Sequence, residues 1–244
     1  MGKMIQIPAA QPVDAYMAEP DAKPKGAIIV IHEVWALTDH IKSIADRYAG
    51  IGFIALAPNL LDFNKFSSIE ISELQKAVFD PKKRNEAQPK LRKLMAPIQQ
   101  PEFGKQTLDR LKACFNYLYE LPQADHKVAV TGFCFGGSYT FSMAAAEPRV
   151  KLALAFYGHA DQTVEELKRI ACPVRAFYGE NDERLISQLQ DVKKRMKHAG
   201  VDFIAKVYPG CGHAFFNDTN PYAYNKAAAE DAWLRVQQEL KSLG

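Results

Sequence analysis

The seven residues Gly132-Phe133-Cys134-Phe135-Gly136-Gly137-Ser138 constrain this chain more tightly than any other stretch. They follow the apolar run Val128-Ala129-Val130, which reads as a buried strand, and lead into Ser138 to Ala146, a small-residue stretch with the character of a helix. Glycines two residues to either side of a central residue, between a strand and a helix, form the pattern of a nucleophile elbow. The bend is so sharp that the central residue is forced into strained backbone geometry. A β-carbon at either glycine would collide with the adjoining strand or helix. A sulfur at that apex is lifted clear of the backbone, at a helix N-terminus whose dipole and unpaired N–H groups favour negative charge. The N–H of Phe135 is placed to donate to an oxyanion. A free cysteine in a Gly-rich turn can also be a small buried hydrophobe, so the reading turns on its partners.

An elbow nucleophile is followed along the chain by an acid and then a histidine, each just past a strand. Pro173 to Tyr178 is strand-like and runs into the polar turn Gly179-Glu180-Asn181-Asp182-Glu183. Phe203 to Tyr208 is strand-like again and runs into the loop Pro209-Gly210-Cys211-Gly212-His213-Ala214-Phe215. His213 is then the general base for Cys134, and Asp182 holds its imidazole in the right tautomer. Asp182 is preferred to Glu180 and Glu183 because a Gly-x-x-Asp turn after the strand is the usual placement of the acid on a fold with such an elbow. Taken singly, each partner is weak: acidic turns are common, and five other histidines (32, 40, 126, 159 and 198) stand in the chain. The case rests on three residues in order, each at the carboxyl end of a strand, where open α/β sheets collect their sites.

These motifs resemble those of the dienelactone hydrolase family, within the α/β-hydrolase superfamily. Gly-Phe-Cys-Phe-Gly-Gly is similar to its cysteine elbow and Gly-His-Ala-Phe to its histidine loop. Ile28 to Glu33 resembles the strand ending in the family's active-site glutamate, and the likeness runs from about residue 13 to the C-terminal helix. The resemblance implies that Glu33 lies beside the resting cysteine and joins in its activation. A carboxylate there can oppose a second negative charge and keep the sulfur protonated, or accept the proton itself. It also implies that the N–H of Val34 is the second oxyanion donor beside that of Phe135. The family's arginine four residues after the catalytic histidine is replaced by Asn217, a neutral amide without guanidinium's charged, two-pronged grip. That replacement puts a carboxylated substrate in question, and Arg84 and Arg92 are not assigned to the second arginine position.

The 244 residues suit one α/β domain, and a hydrophobic share of 48% is ordinary for a globular protein. A net charge of +3, with acidic and basic residues mixed, makes no case for nucleic acid; the densest basic run, Lys82-Lys83-Arg84, is short. No window offers the apolar length of a membrane span, and Met1 to Ala10 lacks the features of a signal peptide, so the cytoplasm is expected. The cysteines at 114, 134, 172 and 211 have no zinc-like spacing, and neither metal nor cofactor is expected. Cys211 reads as packing first, with a second-thiol role as the alternative.

Residues 4–8 and 13–18 read as leading strands, 27–32 as a central parallel strand, 38–49 as a helix and 51–57 as a strand ended by Pro58. Further strands are expected near 128–131, 152–157, 174–178 and 203–208, with helices between them and a last helix over 222–242. Residues 60–103 form the least regular section: Ile69 to Phe79 is amphipathic, and then Pro81, Pro89, Pro97 and Pro101 punctuate the chain. That insert is read as a lid or substrate wall, with a plain surface excursion as the alternative. From Gly104 to Glu120 the spacing of Leu108, Leu111, Phe115 and Leu118 is that of a packed helix. The expected fold is an α/β-hydrolase, a mostly parallel sheet flanked by helices on both faces. Phe133, Phe135 and Phe215 are read as an apolar cleft wall, and Tyr157 as packing or substrate positioning.

The function expected is a cofactor-free hydrolase of small esters or lactones, working through a thioester on Cys134. A non-catalytic binding protein, a thiol-redox protein using Cys134 and Cys211, and a thioesterase or peptidase stand as alternatives. The partner expected is a small molecule; oligomeric state is left open, with a monomer favoured.

Overall fold

The structure is a computed structural model that describes residues 2–61 and 68–243. Among these, eight strands build a single sheet: β1 (Lys3–Ile7), β2 (Val13–Ala18), β3 (Ala27–Ile31), β4 (Ile54–Pro58), β5 (Val128–Phe133), β6 (Ala153–Phe156), β7 (Val174–Gly179) and β8 (Phe203–Tyr208). Their spatial order is β1-β2-β4-β3-β5-β6-β7-β8. The two leading strands pair antiparallel, and every neighbour pair from β4 to β8 is parallel. Flanking the sheet are α1 (Asp39–Gly50), α2 (Ser68–Phe79), α3 (Arg84–Met95), α4 (Pro101–Tyr119), α5 (Phe135–Ala146), α6 (Val164–Leu167), α7 (Glu183–Ala199) and α8 (Lys226–Leu240).

The composition of the middle strands explains their place. Every residue of β3 and of β4 is buried, as strands covered on both faces must be. Each fully buried Ile, Leu or Val contributes roughly 1.5–3 kcal/mol relative to its exposed state. By contrast, the outermost strands alternate or thin out: β1 buries only Ile7, and β8 leaves Ile204 exposed.

The strands and helices expected from the sequence are present, with boundaries shifted by up to four residues. The elbow helix begins at Phe135 rather than Ser138, and the last helix at Lys226 rather than 222. The insert departs more. Residues 84–95 form a helix that contains Pro89, so that proline does not break the chain as expected. It sits in the second turn, where only one or two backbone bonds are forfeited, and burial of Ala87 and Leu94 offsets the loss. Pro101 is not a break either; it opens α4, a position where its missing N–H costs nothing. The part of the insert at 62–67 lies outside the described residues.

The parallel arrangement sends the carboxyl ends of the six strands β3 to β8 to one edge of the sheet. There the chain leaves β3 at His32 and Glu33, β5 at Cys134, β6 at Tyr157, β7 before Asp182 and β8 before His213.

Candidate active site

Cys134 sits at the elbow with φ 56° and ψ −110°, the left-handed half of backbone space that a side chain rarely adopts. Neighbours hold it there. Its N–H donates to the Phe156 carbonyl at 3.0 Å, and the Gly136 N–H donates to the His32 carbonyl at 3.1 Å. A β-carbon on Gly136 would run into the Ile31 and His32 carbonyls, and one on Gly132 into the Gly136 carbonyl. The glycines therefore let the start of α5 press against the end of β3. This contact brings the loop carrying Glu33 and Val34 beside the first N–H groups of α5.

His32 supports the same junction. Leu60 N–H donates to its Nε2 at 3.0 Å, so the ring proton is on Nδ1 and is given to the Glu33 carbonyl at 2.6 Å. Complete burial pushes its pKa down to about 4, and the charge of Arg110 adds to that, so the ring is neutral. It stacks on Phe135 with centroids 5.7 Å apart.

His213 meets both of its expected partners. Its Nδ1 donates to Asp182 Oδ2 at 2.5 Å, and the Cys134 side chain stands near enough for its charge to act on the ring. With Nδ1 committed, Nε2 is the nitrogen left to exchange a proton with the sulfur. Burial alone would lower the His213 pKa. The charge on Cys134, the hydrogen bond that Asp182 accepts and the Asp182 charge outweigh it and carry the pKa well above its ordinary value. Of the three acids in that turn, Asp182 is the one bonded to His213: Glu180 accepts from the Gly210 N–H at 3.0 Å, and Glu183 is exposed at the start of α7.

Glu33 is buried on the other side of this group, with 4% of its surface exposed. Asn217 Nδ2 donates to Oε2 at 2.7 Å, and the Tyr157 hydroxyl donates to Oε1 at 3.4 Å. Burial raises the Glu33 pKa, against the nearby charges of His40 and His213 and these two hydrogen bonds. Tyr157 connects the halves of the site. Its ring lies 5.0 Å from that of His213, and burial together with the charges of Glu33 and Cys134 drives its own pKa up. A role for this tyrosine beyond packing was only half visible in the sequence.

Asn217, at the position where the family resemblance implies an arginine, is wholly buried and fully occupied. Its amide nitrogen serves Glu33, and its oxygen accepts from the Thr219 N–H at 3.0 Å and hydroxyl at 2.7 Å. A second tie lies one turn below Cys134. Ser138 Oγ meets His159 Nδ1 at 2.9 Å, and His159 Nε2 meets Asp161 at 2.9 Å, fastening the loop that holds Tyr157 to the elbow helix.

Two expectations for the cleft wall need correction. Phe133 and Phe215 are completely buried: Phe133 stacks on Phe156 and Phe216, and Phe215 packs against Tyr157 and Tyr208. Alternation along β5 turns Phe133 into the core, away from the edge where Cys134 emerges. Only Phe135 lies near the site surface, touching Phe103 and Tyr139. All four cysteines are free, and 114, 172 and 211 are buried. Sequence reasoning also passed over His40 and Asp218, whose pairing at 2.9 Å joins residues 178 positions apart. Among the described residues no cluster of three metal-binding side chains occurs.

The model of the Dienelactone hydrolase family matches residues 13–244, nearly the whole chain. The chain belongs to the dienelactone hydrolase family. A protein of Saccharolobus solfataricus, provisionally named a carboxymethylenebutenolidase, is 35% identical to it over 94% of this chain and 93% of its own length. A protein of Aquifex pyrophilus named usf is 32% identical over 96% and 95% of the two chains. Among solved structures, a provisionally named dienelactone hydrolase from Klebsiella pneumoniae superposes with a TM-score of 0.81 at 25% identity, covering 99% of this chain and 98% of that one. The dienelactone hydrolase of Anabaena variabilis shares the fold, with a TM-score of 0.71 at 15% identity over 99% and 97% of the chains. The fold is thus that of the α/β-hydrolases, and the chain is a hydrolase of carboxymethylenebutenolidase-like kind.

Proposed function

We propose that this enzyme hydrolyses small esters or lactones without a cofactor, with Cys134 as nucleophile, His213 as general base and acid, and Asp182 as the group that orients the imidazole. The observation that carries this reading is His213 at the carboxyl edge of the sheet, its Nδ1 bonded to Asp182 and its ring within reach of the charge on Cys134 at the elbow. His213 takes the thiol proton as sulfur attacks the carbonyl, and the N–H groups of Val34 and Phe135 stabilise the oxyanion. The imidazolium then protonates the leaving alkoxide. A thioester remains, and water activated by neutral His213 attacks it and frees the carboxylic acid. Glu33, kept toward its neutral form by burial, tolerates negative charge on the sulfur, whereas its carboxylate form opposes that charge.

The other parts of the reading follow from neighbouring features. Helix α2 sets Phe79 edge-on against Trp35 at 6.0 Å, just past Val34, which supports the insert as a wall over the substrate entrance. Because Asn217 is committed to Glu33 and Thr219, the substrate needs no carboxylate at that position. Cys134 must stay reduced, which fits the cytoplasm. No helix among the described residues is long and apolar enough to cross a membrane. A redox partnership with Cys211 is disfavoured, since that thiol is buried and burial raises its pKa.

The test is turnover of p-nitrophenyl acetate, and of paired lactones with and without a carboxylate, by the wild type and Cys134→Ala. The variant is expected to lose at least about three orders of magnitude in kcat/KM. The wild type is expected to treat the two lactones alike. Activity that survives Cys134→Ala removes the proposed mechanism.

A further inference from the structure

His32 follows the last residue of β3 and is wholly buried, yet both of its ring nitrogens are engaged. Nε2 accepts from the Leu60 N–H at 3.0 Å, so Nδ1 carries the proton and donates it to the Glu33 carbonyl at 2.6 Å. The His32 carbonyl accepts from the Gly136 N–H at 3.1 Å, and the ring lies 9° from parallel with that of Phe135. An apolar ring would stack on Phe135 with no partners to find, whereas a buried imidazole is tolerated only with its polar atoms met. Packing alone therefore does not account for a histidine here.

The bond to Glu33 matters for the residue after it. The Glu33 carbonyl and the Val34 N–H belong to one peptide unit, which is planar and trans, so the two point in opposite directions. Holding the carbonyl against His32 thus fixes where the Val34 N–H is aimed. A hydrogen bond accepted by the carbonyl also polarises the unit and makes its N–H a stronger donor. Among the described residues the Val34 N–H has no acceptor within the protein. Phe135, whose N–H is the other proposed oxyanion donor, is the residue stacked on the imidazole.

We propose that His32 is a positioning residue of the oxyanion site: its Nδ1–H holds the Glu33–Val34 peptide so that the Val34 N–H faces the carbonyl oxygen of the substrate. Leu60 has a share in this. Its N–H keeps the ring's lone pair at Nε2; the other tautomer would set a lone pair against the Glu33 carbonyl and push it away. The contacts with Gly136 and Phe135 keep this donor beside the first N–H of α5. Both donors are then in place before the oxyanion forms, and no backbone has to turn during the chemical step.

The inference rests on the reading of Val34 and Phe135 as oxyanion donors, and one arm of its test does not depend on turnover. Two substitutions divide the bonds of the ring. The amide of His32→Asn takes the place of Nδ1 and keeps a donor for the Glu33 carbonyl, whereas that of His32→Gln takes the place of Nε2 and keeps an acceptor for Leu60. With p-nitrophenyl acetate, His32→Gln is expected to lose about ten- to a hundredfold in kcat, less than the loss of a whole oxyanion donor, with KM nearly unchanged. His32→Asn is expected to recover most of that loss although its Tm is the lower of the two, because it leaves the Leu60 N–H buried without a partner. A purely structural histidine would make activity follow Tm instead. The second arm is NMR of protein labelled with ¹³C at glutamate carbonyls and ¹⁵N at valine. Glu33-Val34 is the single Glu-Val step in the sequence, so the pair gives one coupled signal. Both of its shifts are expected to move upfield in His32→Gln and to stay near the wild type in His32→Asn. A signal unmoved in His32→Gln, or activity that follows Tm in the two variants, would show the proposal wrong. A signal that moves while kcat of His32→Gln stays at the wild-type value would leave the bond standing and remove Val34 as an oxyanion donor. Turnover surviving Cys134→Ala would sink the thioester mechanism and leave the signal as predicted.

Discussion

At the scale of single residues, the site works through opposed shifts of charge. Once the sulfur has given up its proton, the charges of Cys134 and Asp182 favour the protonated form of His213, while burial favours the proton on Glu33. Asp182→Asn removes the carboxylate charge and presents an amide able to stabilise the wrong tautomer of the ring. A loss of up to about four orders of magnitude in kcat is expected, the size seen when such an orienting carboxylate is neutralised. The titration of His213 should also move to lower pH, visible as a displaced limb in the pH profile of kcat. A profile that does not move would show that Asp182 is not the partner that matters. These residues differ in how legible they were. Cys134, Asp182 and His213 could be read because each follows a strand signal in a fixed order. His40 and Asp218 could not, since their chemistry depends on α1 packing beside the loop after β8, and no local spacing encodes that meeting.

Secondary-structure elements tell a related story. Strands β3 to β8 were plain in the sequence because buried parallel strands are short, continuous apolar runs bounded by Gly, Pro and polar turns. The insert was not, because its prolines counted as breaks although Pro89 is carried within a helix and Pro101 starts one. Phe133 misled for a different reason: its place beside Cys134 suggested the cleft, but strand alternation turns it into the core. If α2 is a wall of the substrate entrance, trimming its contact with Trp35 must change selection among substrates and not the chemical step. Phe79→Ala is therefore expected to alter kcat/KM for a bulky aryl ester by about tenfold, with kcat for acetate esters nearly unchanged. Steady-state kinetics with a series of acyl and alcohol sizes checks this, and an unaltered series would return α2 to the surface.

For the whole molecule, the site costs stability in a pH-dependent way. Glu33 has a folded pKa raised above its ordinary value of 4.5, so the unfolded chain gives up this proton first. Between the ordinary and the raised value, the stability contributed by Glu33 falls as pH rises. His213, also raised, adds a loss of the same sign above its ordinary value of 6.5. Glu33→Gln removes the first term, so its Tm relative to wild type should climb as pH is raised above about 4.5. A difference in Tm that is flat across that range would contradict the raised pKa. The sheet tolerates this expense because its centre is densely apolar, and it returns a set of groups that no single element holds. Those groups have one task in this account, the formation and hydrolysis of a thioester on Cys134. Mass spectrometry of protein mixed with an activated acetate ester and quenched in acid tests that most directly. The account predicts one acetyl group, mapped to the peptide containing Cys134, released by hydroxylamine and absent from Cys134→Ala. An acetyl group found on another residue while turnover proceeds, or on the Cys134→Ala protein in equal amount, would contradict it.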